Sequence, residues 1–477
     1  MKIFLIILLI IQLINAQTNS CGEDCIFEIN EEKTHLIING TQRMDNYDED
    51  NLPPWYEWKD SIVEIEIEGV QTIGNRAFPY FSKLERVSMD DSILIIGAHS
   101  FAHCYELKTV EWSQSITMIE EAAFYYCLEL KTINLPDSLI TIGKNSFSRC
   151  YSAQTITLGN NLKSIGDSAF AGCLLLKSIV IPDSVVTFSS AIFQYCLFLE
   201  KVTFGRQMDQ ITQSMFDSCM SLKEIDLPYG IIFIGRYGFG NCVSLKKINL
   251  PRSLNGIAQS AFYKCTSLEH ITIPDTVESL GSGIFEECSK LKIIKLPNKI
   301  TSLPTETFLN CISLESIEIP KWIKTIYQRA FYGCSNLKRV SLTHNVTVIG
   351  ESSFSKCTSL QEMYLPPYLN RIDSNAFEGC TSLQRVIYEG QSTVTCDTSV
   401  FENTNLNNVE VTPSFSGELL CGVKVIGNGT ENSDVYYYIT VVLISFIMFV
   451  IFCVALAILI GMIWKKNKKF NEYQLIP

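Results

Sequence analysis

Residues 130–152 read L-K-T-I-N-L-P-D-S-L-I-T-I-G-K-N-S-F-S-R-C-Y-S, and the chain repeats this stretch along most of its length. From Cys104 to Cys380 a cysteine stands at every twenty-third position, with no insertion or deletion. Three residues before each stands Phe, from Phe101 to Phe377. Three after stands Leu, from Leu107 to Leu383, with Ala153 the one departure. A fixed period of this size is the signature of a solenoid.

The physics can be read within one unit. Ile133 and Leu135 alternate with polar residues, which places them on one face of a short strand. Pro136 lacks a backbone donor and ends that strand. Ile142-Gly143 reads as a second bend, with Gly supplying dihedrals that other residues resist. The segment around Phe147 and Cys150 is too short for a full helix and suits a single helical turn. Each coil then points Leu, Ile, Phe and Cys inward, and only stacking on neighbouring coils can bury them.

The spacing L-x-x-I-x-L-P with I-G-x-x-A-F-x-x-C resembles the BspA-type leucine-rich repeat, over roughly residues 62–411. The resemblance implies an α/β leucine-rich repeat solenoid with one short parallel strand per 23-residue coil. It also implies a cell-surface interaction protein of the adhesin type. Separately, the unbroken repeats leave no insertion in which to build an active site, and neither enzyme activity nor a cofactor is expected.

The segments outside the array set its expected context. Residues 1–16, MKIFLIILLIIQLINA, read as a secretory signal peptide. Residues 17–61 are acidic and irregular, and suit an N-terminal cap for the first open coil. Residues 412–435 read as a C-terminal cap followed by a polar stalk from residue 422. The uncharged run from Ile439 to Trp464, flanked by Tyr436–Tyr438, predicts a single transmembrane helix over 436–464. Lys465, Lys466, Lys468 and Lys469 place residues 465–477 in the cytoplasm. The expected topology is single-pass, type I, in the plasma membrane, with the lipid bilayer as a partner. Sequons at Asn39, Asn345 and Asn428 fall outside the cell in that arrangement. Formal net charge is −12. Removing Lys2 and the net +3 after Trp464 leaves −16 for the chain between, which disfavours nucleic acid.

Cysteine is the most conspicuous candidate chemistry. Thirteen is odd, and Cβ vectors in a parallel ladder do not face each other, so buried free thiols fit better than disulfides or metal ligands. On that reading a serine in the ladder has no partner for its hydroxyl. Cys21 with Cys25, and Cys396 with Cys421, are the candidate disulfides of a secreted chain. His99 and His103 lie four apart, but no carboxylate separates them and the turn is short, so a surface pair is the reading. No metal site is expected. The motifs H-E-x-x-H, G-x-S-x-G and G-x-x-x-x-G-K are absent, and five His leave little general-base material.

The exposed strand face is the candidate ligand-binding surface, because its residues vary while the framework does not. Seven places after Cys stand Glu111, Asn134, Thr157, Thr203, Asp226, Asn249, Lys295, Glu318, Tyr364 and Ile387. Five places after stand Lys201, Glu224, Lys247, His270, Glu362, Arg339 and Arg385. An extracellular protein or glycan is the expected ligand. Tyr473-Gln474-Leu475-Ile476 resembles the tyrosine-based sorting signal read by clathrin adaptors, with Tyr473 and Ile476 as anchors. The alternative function is therefore an endocytic or signalling receptor.

Overall fold

The computed structural model describes residues 19–427 and Ile444. The expected signal peptide, transmembrane helix, cytoplasmic tail, sorting residues Tyr473 and Ile476, and sequon Asn428 lie outside the described residues, Ile444 apart. Among the described residues no helix is long and apolar enough to cross a membrane.

The chain winds into a β-solenoid of about 15 coils of about 23 residues. Each coil carries two short strands where the sequence predicts one. The first, for example Thr132–Asn134, pairs in parallel with Thr155–Thr157 of the next coil, Ile133 opposite Ile156. The second, Thr141–Ile142, pairs with Met118–Ile119 on one side and Ser164–Ile165 on the other. A two-residue strand is too short to show the alternation that betrays a longer one. The glycine after it serves a different purpose from the one expected. Gly143 does not have positive φ, and a Cβ on it would lie 2.6 Å from the Glu120 carbonyl carbon. Glycine here lets the backbones of adjacent coils approach.

The expected helical turn is also absent, and no α-helix occurs between residues 19 and 427. Left-handed residues bracket each Phe, in this coil Asn145 at φ 54° and Arg149 at φ 64°. They turn alternate amides along the solenoid axis. Asn145, Phe147 and Arg149 N–H donate to Asp167, Ala169 and Ala171 carbonyls, at 2.8, 2.9 and 2.7 Å. A helix would bond every amide of this segment within itself; here only Ser146, Ser148 and Cys150 bond back, to Gly143, Asn145 and Phe147 carbonyls, and the amides between them bond to the next coil. The fold is therefore all-β, not α/β.

Two ladders fill the core. Phe rings stack from Phe78 to Phe377 and on to Phe401, as in Phe124–Phe147 at 5.3 Å and Phe147–Phe170 at 5.6 Å between centroids. Beside them run thirteen buried free thiols, Cys104 to Cys380. Each thiol donates to the carbonyl of the Phe 26 residues earlier. Cys104 reaches Phe78 O at 3.3 Å, Cys242 reaches Phe216 O at 3.2 Å and Cys380 reaches Phe354 O at 3.1 Å. The ladder is thus a hydrogen-bond donor series as well as a packing one. A hydroxyl in its place would have a partner, contrary to the reading from sequence.

Both ends are closed by non-repeating structure. At the N-terminus β1 (Ser20–Gly22), β2 (Cys25–Ile29) and β3 (His35–Gly40) form antiparallel pairs. β3 then pairs in parallel with β4 (Glu64–Glu68), the first coil strand. The stretch expected to be irregular is therefore largely ordered. Buried Trp55 stacks on Phe78 at 5.3 Å, and its Nε1 donates to Ala77 O at 2.8 Å. It terminates the Phe stack with a ring that also carries a polar edge. At the other end Val409–Val411 pairs with Val423–Gly427, which folds back against Leu419–Leu420. Residues 423–427 therefore belong to the cap and not to a stalk. Cys21 is bonded to Cys25 and Cys396 to Cys421.

Candidate binding surface

Parallel pairing at a 23-residue offset lines up equivalent side chains of adjacent coils. Glu224 faces Lys247, Asp226 faces Asn249, His270 faces Ile293 and Thr272 faces Lys295. The middle residue of each strand points into the core and its two neighbours point out. Glu111, Asn134, Thr157, Lys201, Thr203, Glu224, Asp226, Lys247, Asn249, His270, Lys295, Glu318, Arg339, Tyr364 and Arg385 are all exposed. Ile387 is not. It is 8 % exposed, on the strand next to the C-terminal cap, where it pairs with Glu410. Glu362 is only half-buried.

The ion pairs of this face cluster at its ends. Arg86 Nη2 lies 2.7 Å from Glu111, with Glu64 3.4 Å from Arg86 Nε. Arg385 grips Glu410 in a bidentate pair at 2.7 and 2.9 Å, with Glu362 3.8 Å away. Glu111 and Arg385 thus tie strands together. Among the described residues no ion pair holds Lys201, Lys247, His270, Lys295 or Arg339. The charges of Lys201, Lys247, Lys295 and Arg339 are free for a ligand.

The structure gathers part of this free set at one place. An open groove of about 720 Å³ runs along the strands Lys247–Asn249 and His270–Thr272. Lys247, Arg252, His270 and Lys295 line it, with Asp275 the one carboxylate. Leu250, Ile273 and Pro274 supply apolar wall. On a chain of net charge −12, this is a local reversal of sign. The sequence reading includes Lys247, His270 and Lys295 and misses Arg252. Arg252 follows the strand-ending Pro251, a position outside the two rows that alternation singles out.

Other candidate residues scatter. Asn39 lies within β3, and the Asn345 amide donates to Lys321 O at 2.8 Å. His103 sits between the rings of Tyr80, at 4.6 Å, and Tyr126, at 5.1 Å, and burial lowers its pKa. His103 is thus held in an aromatic stack, and the described residues contain no group of three or more His, Cys, Asp or Glu that could hold a metal ion.

A family model described as BspA type Leucine rich repeat region (6 copies) matches residues 71–200, 188–315 and 301–417. No curated protein matches the chain. A leucine-rich repeat protein from Bacteroides ovatus is similar in structure, at 26% identity and a TM-score of 0.64, over 86% of this chain and 100% of its own. A leucine rich cell surface protein from Faecalibacterium prausnitzii is 26% identical with a TM-score of 0.44, over 72% of this chain and 93% of its own.

Proposed function

Because this chain belongs to the BspA-type leucine-rich repeat family, we propose that it is a cell-surface binding protein, an adhesin, that takes an extracellular protein or glycan on its strand face. Such repeat proteins are typically binding proteins and not enzymes. The observation that carries the reading is the groove whose cations Lys247, Arg252 and Lys295 have no ion-pair partner among the described residues, with the His270 imidazole beside them. Solvated surface needs no such concentration of unpaired charge, whereas an acidic partner surface does. Transmembrane anchorage, with the repeats outside, supplies the display. The tail motif Tyr473–Ile476 favours a second reading, a receptor internalised through clathrin adaptors. The test displays the full-length chain on cells and measures adhesion to host cells and matrix-coated surfaces. Adhesion should fall at least tenfold when Lys247 and Lys295 are both changed to Glu. No adhesion, or adhesion indifferent to that reversal, would sink the proposal. Slower antibody uptake by Tyr473→Ala with adhesion intact would favour the receptor.

A further inference from the structure

A second surface, on the edge formed by the Phe-to-Cys turns, carries a site that owes nothing to the strand face. The residue just before each Cys is left-handed, and in the first coils these side chains stack on one another. Tyr80, His103 and Tyr126 make successive rungs. Arg149 is the next, its Cζ 5.0 Å over the Tyr126 ring and its Nη1 donating to the Tyr126 hydroxyl. Then the stack loses a rung. Gly172 stands at the following position, and Tyr195, 52 % exposed, resumes one coil later. Backbone bonds from Arg149 N to Ala171 O and from Gly172 N to Gln194 O, both 2.7 Å, hold the three coils in step.

Two coil spacings, roughly 9.6 Å, therefore separate the backbones of Arg149 and Tyr195, and the rung between them, buried Gly172, has no side chain. The gap opens into a groove of about 400 Å³. Asn145, Ser148, Ser168 and Gln194 line its polar edge, and Leu174 and Leu197 its apolar floor. No carboxylate lines it. Gln194 gives its amide N–H to Asp217 at 2.9 Å, which leaves its carbonyl free to accept. Gly333 and Gly379 occupy the same position in later coils, but their neighbouring rungs are Asn310, Lys356 and Asn403, none of them aromatic. The missing rung next to an aromatic ring and a cation with no carboxylate partner among the described residues belongs to Gly172 alone among the three.

We propose that the gap left by Gly172 binds an acidic sugar, a pyranose ring bearing a carboxylate or sulfate, stacked between Arg149 and Tyr195. The C–H face of a sugar ring packs on the Tyr195 ring. Arg149 offers a forked donor to the acidic group. Amide and hydroxyl side chains along the edge match the ring hydroxyls, and an aromatic side chain in the gap would leave those groups without partners.

The experiment uses saturation-transfer NMR on the full-length chain, with 3′-sialyllactose, 3′-sulfolactose, lactose and benzoate as probes. Transfer to an acidic sugar is expected, with lactose and benzoate at least tenfold weaker. Gly172→Tyr replaces the missing rung and should abolish transfer. It should fold, since Tyr80, Tyr126 and Tyr195 occupy the same position at φ 63°, 61° and 59°, and Gly333→Tyr serves as its control. Arg149→Gln, on an exposed side chain, should cost at least tenfold in acidic-sugar affinity if Gly172→Tyr does not fold. Absence of transfer to both acidic sugars, stronger binding of benzoate, or binding that survives these changes overturns the proposal. Each of these outcomes is independent of adhesion through the strand face.

Discussion

The inside and the outside of this solenoid are made by the same 23-residue unit, and they obey opposite rules. Within the stack Phe147 and Phe170 each lie between two Phe rings, with the same burial and nearly the same ring spacing. On the strand face Asn134, Asp226, Thr272 and Lys295 occupy one equivalent position with four different chemistries. The difference follows from what each residue touches. A core residue contacts its own copies in the coils on either side, so any departure disturbs two interfaces. A face residue contacts solvent and two side chains at most, so the fold scarcely constrains it. Repetition therefore marks stability, and its failure on the surface marks recognition.

The largest effects should come from breaking the repeated side. Phe216 stacks on Phe193 at 5.8 Å and Phe239 at 5.6 Å, fully buried. Phe216→Ala should cost about 3–5 kcal/mol, read as a drop in urea midpoint. Thr157→Ala on the exposed face should shift it by less than about 0.5 kcal/mol.

Alkali should separate the two regions as well. Burial pushes the thiols of Cys104, Cys150 and Cys196 up to about 12, against an ordinary value of about 8.5 in an unfolded chain. Between those values the unfolded chain has lost the proton and the folded chain holds it, so rising pH favours unfolding. The stabilisation is complete below about pH 8.5 and drains away above it, by about tenfold in the folding equilibrium per pH unit for each thiol. The urea midpoint should be level from pH 6 to 8 and fall steeply from pH 9 to 11. A level midpoint through pH 11 contradicts the buried-thiol ladder.

A smaller effect distinguishes packing from hydrogen bonding within that ladder. Cys242→Ala loses both the sulfur and the bond to Phe216 O, and should cost about 1–3 kcal/mol. Cys242→Ser keeps a donor and should cost no more than Ala. Serine proving the worse of the two would mean that the carbonyl contact contributes nothing. The smallest change has the opposite sign. The Ser146 hydroxyl is buried without a partner where other coils place Ala169 or Ala261. Ser146→Ala should stabilise by about 1 kcal/mol.

What could be read from sequence divides along the same line. The period, the inward Phe, Cys and Leu, and the exposed rows were legible because each is stated twelve or thirteen times. The turns were misread because their logic is bonding between coils: Asn145 and Arg149 resemble helix residues until their amides are seen to point along the axis. Trp55 and Gly172 were missed for a related reason. Each gains its meaning only from the ring stack it ends or interrupts, and no local pattern announces a neighbour one coil away. Ile387 was placed outside by the same alternation that leaves Tyr364 exposed, although its strand is the one that carries the C-terminal cap, Ile387 paired with Glu410.

The most direct test sets a change in the core against a change on the face in a single assay pair. Phe216→Leu and the double change Lys247→Glu with Lys295→Glu are compared for urea midpoint and for adhesion of the displayed full-length chain. Phe216→Leu should lower the midpoint while molecules that remain folded adhere as before. The double reversal should leave the midpoint within error and reduce adhesion at least tenfold. If the reversal unfolds the chain, or if it leaves adhesion untouched, the division between a repeated core that stabilises and a varied face that recognises is wrong.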